Sequence, residues 1–447
     1  MTYPRCRAAR LLPLILLALP LCARAQPRSL TLEQALQLAD EQSLDIRKAR
    51  MALDRSAIAI RAAHGLYLPE VSAGADYAFS IQRGVFFVAP GTPFNETGVT
   101  QAFPIGSRQS ATLTLNITQP LYDPIRRMQQ TVAEAGVEVS RAQLEVARAL
   151  VRMNVEKAFY RAVYMQSERG AREQQVKTAM ANFDVAQARW KGGRAMALDT
   201  LTAGVTVARA RADAERANYD YLGSLLLLAR TLNIPDYQNL NVVGSLDIPT
   251  SPGPSGGDLT ASIGRLNSAQ LKLAQAERAA AQTNVGLETY RAYPTLDAVG
   301  RVQGLGQSNS VLPDDAKFAM TSQIGLSALY PISNLWRGNP KQEDAELRVQ
   351  EADLEIARIH QNDSVQLESI LLQMRGAKAQ IVAEEASLDQ ARKAVEITMI
   401  LYKEGRAGII DVENAQSRVL DAQMTGDRLR LQFLEAYAEL KAVVGDF

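Results

Sequence analysis

Side chains that could carry out chemistry are few in this chain, and their placement excludes most reactions. The histidines, His64 and His360, lie far apart and each reads as a polar helix residue. Both cysteines, Cys6 and Cys22, fall within the first 25 residues, so disulfides, thiol catalysis and cysteine metal sites are excluded from the rest. Gly253-Pro254-Ser255-Gly256-Gly257 fits the G-x-S-x-G pattern of a serine nucleophile turn. That turn needs a strand before it, a helix after it and a histidine in reach, and here it sits in a proline-rich stretch. No P-loop, dinucleotide fingerprint, H-E-x-x-H or EF-hand loop occurs. No catalytic, cofactor-binding or metal site is expected, and the chain is not expected to be an enzyme.

What stands out instead is an acid that occurs twice in the same setting. Trp190-Lys191-Gly192-Gly193-Arg194-Ala195-Met196-Ala197-Leu198-Asp199 is echoed by Tyr402-Lys403-Glu404-Gly405-Arg406-Ala407-Gly408-Ile409-Ile410-Asp411, 212 residues on. Pro120 and Pro331 lie 211 apart, each expected to close a strand just before a long helix. A shared offset over that distance means an internal duplication. Residues 125–234 and 341–447 contain no proline and are rich in good helix formers. Each stretch, interrupted by its Gly-Arg-Ala motif, reads as a helical hairpin with the motif at its turn. A helix from Pro124 to Trp190 would be about 100 Å long at ~1.5 Å per residue. Asp199 and Asp411 then fall in the first turn of a returning helix, where the helix dipole favours an anion.

The returning helices carry a coiled-coil seam. Val412, Ala415, Val419, Ala422, Gly426, Leu429, Phe433, Ala436 and Leu440 follow 3,4 spacing, as do Thr200, Ala203, Val207, Ala210, Ala214, Ala217, Tyr221, Ser224 and Leu228. Near the turn the seam residues are small, and their bulk grows toward the other end. Ahead of each hairpin come two strands with period-two alternation, about 71–82 and 110–118, then about 294–303 and 320–330. That is the pattern of a membrane β-strand, apolar toward lipid and polar toward a lumen, and also of any half-buried strand. Four such strands cannot close a barrel, and an unpaired edge in lipid costs several kcal/mol per backbone group. If the strands enter a membrane they must be shared between copies, eight strands for two chains or twelve for three. The segments joining the strands, 83–109 and 304–319, read as polar Gly/Pro-containing loops.

Lys and Arg number 49 against 48 Asp and Glu, a formal net charge of +1, which offers no concentrated basic surface for nucleic acid. Arg5, Arg7 and Arg10, the apolar run Leu11 to Leu21 and Ala23-Arg24-Ala25 read as an export signal cleaved before Gln26. Leu21 and Pro20 before Cys22 are not the small residues of a lipoprotein signal, so no lipid anchor is expected there. No later run of 18 or more apolar residues occurs, so no transmembrane helix is expected and the chain is periplasmic, secreted or an outer-membrane β-barrel. The expected organisation is a signal peptide at 1–25, a first repeat at 26–243 with its tip at about 190–199, a linker at 244–258, and a second repeat at 259–447 with its tip at about 402–411.

This order resembles that of the TolC-like outer-membrane factor family over essentially the whole mature chain. Ser29-Leu30-Thr31-Leu32-Glu33-Gln34-Ala35-Leu36 is similar to the family's opening Leu-Thr-Leu-x-x-Ala-Leu helix. Leu66-Tyr67-Leu68-Pro69-Glu70-Val71 resembles its Leu-x-Pro lead into the first strand, and Gln119-Pro120-Leu121-Tyr122-Asp123 its Gln-Pro-Leu-[Phe/Tyr]-Asp exit from the second. The resemblance implies a mainly α fold with a transmembrane β part: long coiled-coil hairpins forming a periplasmic α-barrel, and four strands per chain in a twelve-stranded outer-membrane barrel shared by a homotrimer. It implies a passive duct carrying drugs, toxic compounds or metals from an inner-membrane pump through a periplasmic adaptor, without a cofactor. A type I protein secretion channel and a soluble periplasmic coiled-coil scaffold are the alternatives. By resemblance, Gly193, Arg194 and Ala195 with Gly405, Arg406 and Ala407 form tips that adaptor hairpins contact. Tyr402 locks the closed tip by bonding to Asp199. Asp411 gives an anionic ring at the pore constriction, and Asn414 stands where relatives place a second acid.

Overall fold

Period-two alternation and two long proline-free stretches together dictate a chain that switches between strand and helix. The computed structural model describes residues 28–95, 98–235, 237, 239–249, 267–309, 317–332 and 338–445. The expected signal peptide with Cys6 and Cys22, the 250–258 part of the linker, and the 310–316 part of the 304–319 segment lie outside them. In chain order the elements are β1 (Arg28–Leu30), α1 (Leu32–Gln42), α2 (Leu44–Gly65), β2 (Glu70–Phe79), β3 (Gly84–Val88), β4 (Gln101–Ile105) and β5 (Gln109–Tyr122). Then follow α3 (Pro124–Lys191), α4 (Ala197–Leu232), β6 (Leu240–Val242), α5 (Ala269–Tyr290), β7 (Thr295–Ser308), β8 (Lys317–Leu329), α6 (Pro340–Lys403) and α7 (Ile409–Val444).

Both long helices begin in the same way. Asp123 accepts from the N–H groups of Ile125 and Arg126, Asn339 accepts from that of Gln342, and a proline follows each cap at the first helical position. Proline suits that position because its missing N–H would have no intrahelical partner. With every later residue a tolerable helix former, α3 runs for 68 residues and α6 for 64. Each returns through a helix of 36 residues, α4 or α7. Helices this long cannot draw their stability from propensity alone and need a packed face.

The seams supply that face. Ala203, Ala210, Ala217, Tyr221, Ser224 and Leu228 on α4 are buried, as are Val412, Ala415, Ala422, Leu429, Phe433, Ala436 and Leu440 on α7. Phe433, Ala436 and Leu440 form one cluster with Leu367, Ile370, Met374 and Ala377 of α6. A larger core, including Phe159, Leu225, Leu228 and Leu434, gathers where β1 lies parallel to β6 and α1 packs on α3. The two hairpins meet along α3 and α7 through polar pairs: Lys157–Glu439 at 2.5 Å, Lys441–Glu156 at 3.0 Å and Asn182–Gln416 at 2.7 Å. Glu156 is buried, so Lys441 supplies the counter-charge a buried carboxylate needs.

The four alternating segments form one antiparallel sheet in the order β2-β5-β7-β8. β5 does not stop at Pro120. It runs on to Tyr122 through an irregularity in its pairing with β7. The proline is tolerated because pairing with β2 has already ended at Thr118, so one edge of β5 is free there. The 83–109 segment is not simply a loop: β3 and β4 pair within it as an antiparallel hairpin, Phe86 opposite Phe103.

Candidate functional site

The register of the four strands sorts their residues onto two faces of opposite character. One face carries the rows Tyr77–Ala111–Gly306–Phe318, Ala75–Leu113–Gly304–Met320, Ala73–Leu115–Val302–Ser322 and Val71–Ile117–Gly300–Ile324. The other carries Gly74–Thr114–Gln303–Thr321 and Ser72–Asn116–Arg301–Gln323. Residues directly opposite in an antiparallel ladder share a face, so in these rows one face is apolar and the other polar across all four strands, while the rows flanking the polar ones also carry Leu305, Ala319 and Val299. Gly306 belongs to the apolar design. The ring of Phe318 lies over it, and a Cβ there would come within 2.5 Å of that ring.

The apolar face is uncovered. Every residue of β2 and β8 is exposed, and Ile324 reaches 95%. Exposed aromatic side chains bound it at both ends, Tyr77, Phe79 and Phe318 at one and Tyr67, Tyr122, Tyr293 and Tyr330 at the other. An apolar band between two aromatic girdles is the surface a β-sheet presents to lipid. The outer edges of β2 and β8 have no strand partner among the described residues.

At the far end of the helices, the two tips have the same backbone geometry. Gly193 has φ +69° and Gly405 φ +79°. Arg194 N–H donates to the Arg189 carbonyl at 2.8 Å, and Arg406 N–H to that of Leu401 at 2.8 Å. A left-handed residue followed by a donor reaching back five residues is the Schellman closure of a helix C-terminus, and glycine takes that conformation without a Cβ clash. Gly192 needs no such freedom. Its φ is −84°, and Glu404 holds the equivalent place at −78°.

The side chains of the two tips differ. Tyr402 is buried with Ala186, Ala203, Ile409 and Val412, whereas Trp190 at the equivalent place is exposed. The Arg189 guanidinium stacks over the Tyr402 ring, 4.6 Å from its centroid, and also donates to the Tyr402 carbonyl oxygen. The expected bond from the Tyr402 hydroxyl to Asp199 is absent. The hydroxyl is buried with no hydrogen-bond partner, as are Thr200 Oγ1 and Glu413 Oε1. Burial pushes the Tyr402 hydroxyl pKa up; Arg189 opposes that shift, and the charges of Asp199 and Glu413 add to it. Burial likewise raises the Glu413 carboxyl, against the pull of a Thr206 hydrogen bond.

Asp411 is exposed and its Oδ2 accepts from Gly408 N–H at 2.9 Å, capping the first turn of α7. Asp199 makes no matching cap on α4. Asn414 is exposed one turn beyond Asp411. Gly193, Arg194, Gly405 and Arg406 are exposed, while Ala195 and Ala407 are half-buried, Ala407 against the Tyr402 cluster. Arg189 is the tip residue that sequence reading missed. Its signal was the departure from the repeat, since Leu401 stands at the equivalent position. Among the described residues no helix is long and apolar enough to cross a membrane, and no group of three His, Cys, Asp or Glu could hold a metal.

The outer membrane efflux protein family model matches residues 35–233 and 262–446. Solved structures share the fold. The outer membrane protein VceC of Vibrio cholerae is 17% identical with a TM-score of 0.69, covering 93% of this chain and 96% of that one. The Campylobacter jejuni CmeC outer membrane channel is 16% identical, TM-score 0.69, covering 93% and 85%. The open-state MtrE outer membrane channel of Neisseria gonorrhoeae is 17% identical, TM-score 0.67, covering 94% and 89%. No curated relative matches the chain by sequence.

Proposed function

The chain belongs to the outer membrane efflux protein family, a family of channels rather than enzymes, and on that premise we propose that it is the outer-membrane duct of a tripartite export system. Three copies close a twelve-stranded barrel in the outer membrane and an α-helical tunnel in the periplasm. Small molecules delivered by an inner-membrane pump and a periplasmic adaptor pass through it passively. The observation that carries this reading is the two-faced sheet with both edges open. In lipid an unpaired edge costs several kcal/mol per backbone group, so β2 and β8 must find partners on other copies. The helices support the same conclusion. Leu347, Leu354, Val365 and Leu372 lie along one exposed face of α6, and Leu198, Leu201, Val205, Tyr219 and Leu226 along one of α4. Such stripes are covered when hairpins of neighbouring copies pack side by side.

The same reading gives the chain a signal peptide at 1–25 and repeats at 26–243 and 259–447, supported by a family match in two segments. Gly193, Arg194 and Ala195 with Gly405, Arg406 and Ala407 are the adaptor-docking tips. Tyr402, held by Arg189 rather than by Asp199, is the latch between the two hairpins. Asp411 and Asn414 face the constriction. The test is fractionation of cells with crosslinking, with and without detergent. A crosslinked trimer released from the outer membrane by detergent alone is the expected result. A periplasmic species soluble without detergent would overturn the barrel.

A further inference from the structure

The polar face of the sheet carries five charged residues in its ladder, Glu70, Asp76, Asp297, Arg301 and Lys317. Lys317 and Asp76 lie in neighbouring rows at the same end, on the two edge strands β8 and β2. In a closed barrel β8 of one copy lies beside β2 of the next, and a junction register that aligns these rows would pair Lys317 with Asp76. Glu70 and Asp297 lie toward the helical end of the sheet, Asp297 with its Oδ1 buried and without a hydrogen-bond partner.

Arg301 has no such partner. Its row is Ser72–Asn116–Arg301–Gln323, all neutral but itself. The adjoining rows place Thr114, Gln303 and Thr321 on one side and Thr118, Val299 and Gly325 on the other. Along the backbone, Glu70 is two strands away and one row on, about 12 Å, and Asp297 is four residues along β7, about 14 Å, with strands ~4.8 Å apart and ~3.4 Å per residue. Among the described residues Arg301 makes no ion pair. Its Nε donates to Asn116 Oδ1 at 2.9 Å across the strand pair, and the side chain stays exposed. A neutral acceptor steadies the guanidinium without cancelling its charge.

We infer that Arg301, repeated by the three-fold axis, forms a cationic ring inside the barrel that binds multivalent anions such as polyphosphorylated molecules. The inference rests on the trimeric duct reading, because the ring exists only when three copies each contribute one residue. Guanidinium groups match phosphate oxygens in geometry, and rings of Arg or Lys favour anions in other pores. Such a ring would draw anionic cargo through the barrel and slow cationic cargo.

The test is calorimetric titration of the detergent-solubilised protein with myo-inositol hexakisphosphate, its oligomeric mass measured in parallel by light scattering. The expected result is one ligand per three chains, weakened by salt, retained in Arg301→Lys and weakened tenfold or more in Arg301→Gln. Arg301 is exposed, so both variants are expected to assemble as the native chain does. A trimer that binds no ligand, binds one per chain, or binds equally well as Arg301→Gln overturns the inference and leaves the duct standing. A preparation that is not trimeric overturns the duct reading, and the ring with it.

Discussion

Tyr402 is held by its ring and its backbone, not by its hydroxyl. Arg189 stacks on the ring and donates to the carbonyl, while the hydroxyl is buried without a partner. Tyr402→Phe is therefore expected to stabilise the protein by about 1 kcal/mol, since it removes a buried hydroxyl that has no hydrogen bond to lose. Tyr402→Ala should cost about 3 kcal/mol or more by opening a cavity. Arg189→Ala should loosen the tip and raise single-channel conductance in planar bilayers, while Tyr402→Phe leaves conductance unchanged; the reverse order would restore the expected Asp199 bond. Glu413 gives a pH signature. Its carboxyl is raised by burial, so the ionised form destabilises the tip, and the penalty is lifted as pH falls through that raised value. Glu413→Gln should raise the melting temperature at pH 7, and the gain should vanish once the native carboxyl is protonated below its ordinary range. The resemblance to the family could pick out Tyr402. It could not pick its partner, because Arg189 reaches it from another helix 213 positions away, at the point where the two repeats differ.

Among the elements, the hairpin tips give the sharpest contrast. Gly193→Ala and Gly405→Ala force a Cβ into the left-handed region and should each cost about 1–2 kcal/mol. Gly192→Ala, at φ −84°, should be nearly neutral. Thermal melts of the three variants test this directly. In the seam, Ala203→Leu or Ala210→Leu should destabilise by about 1–3 kcal/mol, because small residues there allow the helices to approach closely. Long helices, seams and the phase of all four sheet strands were legible because each rests on a periodicity sustained over many residues. The β3–β4 hairpin was not. Val85, Phe86, Phe87 and Val88 are apolar in succession, so no alternation marks a strand, and Pro104 argues against one in β4. The β1–β6 pair was equally hidden, being three residues long with its partner more than 200 positions away.

At the scale of the whole molecule, a single copy is incomplete. It exposes an apolar sheet face, two unpaired strand edges and apolar stripes along α4 and α6, all of which other copies or lipid must cover. Counting strands calls for an oligomer if the sheet enters a membrane; the number three came only from the resemblance, since two copies also give an even-stranded barrel. The most direct test introduces one cysteine on the polar face of β2 and one on that of β8, beginning with Ser72→Cys and Gln323→Cys and scanned along both strands to find the register. After oxidation in intact cells, the outer-membrane fraction is run on a non-reducing gel. A closed barrel of three copies predicts a disulfide-linked species of three chains and nothing larger. A dimer, an open-ended ladder of sizes, or no crosslink at any register would contradict it.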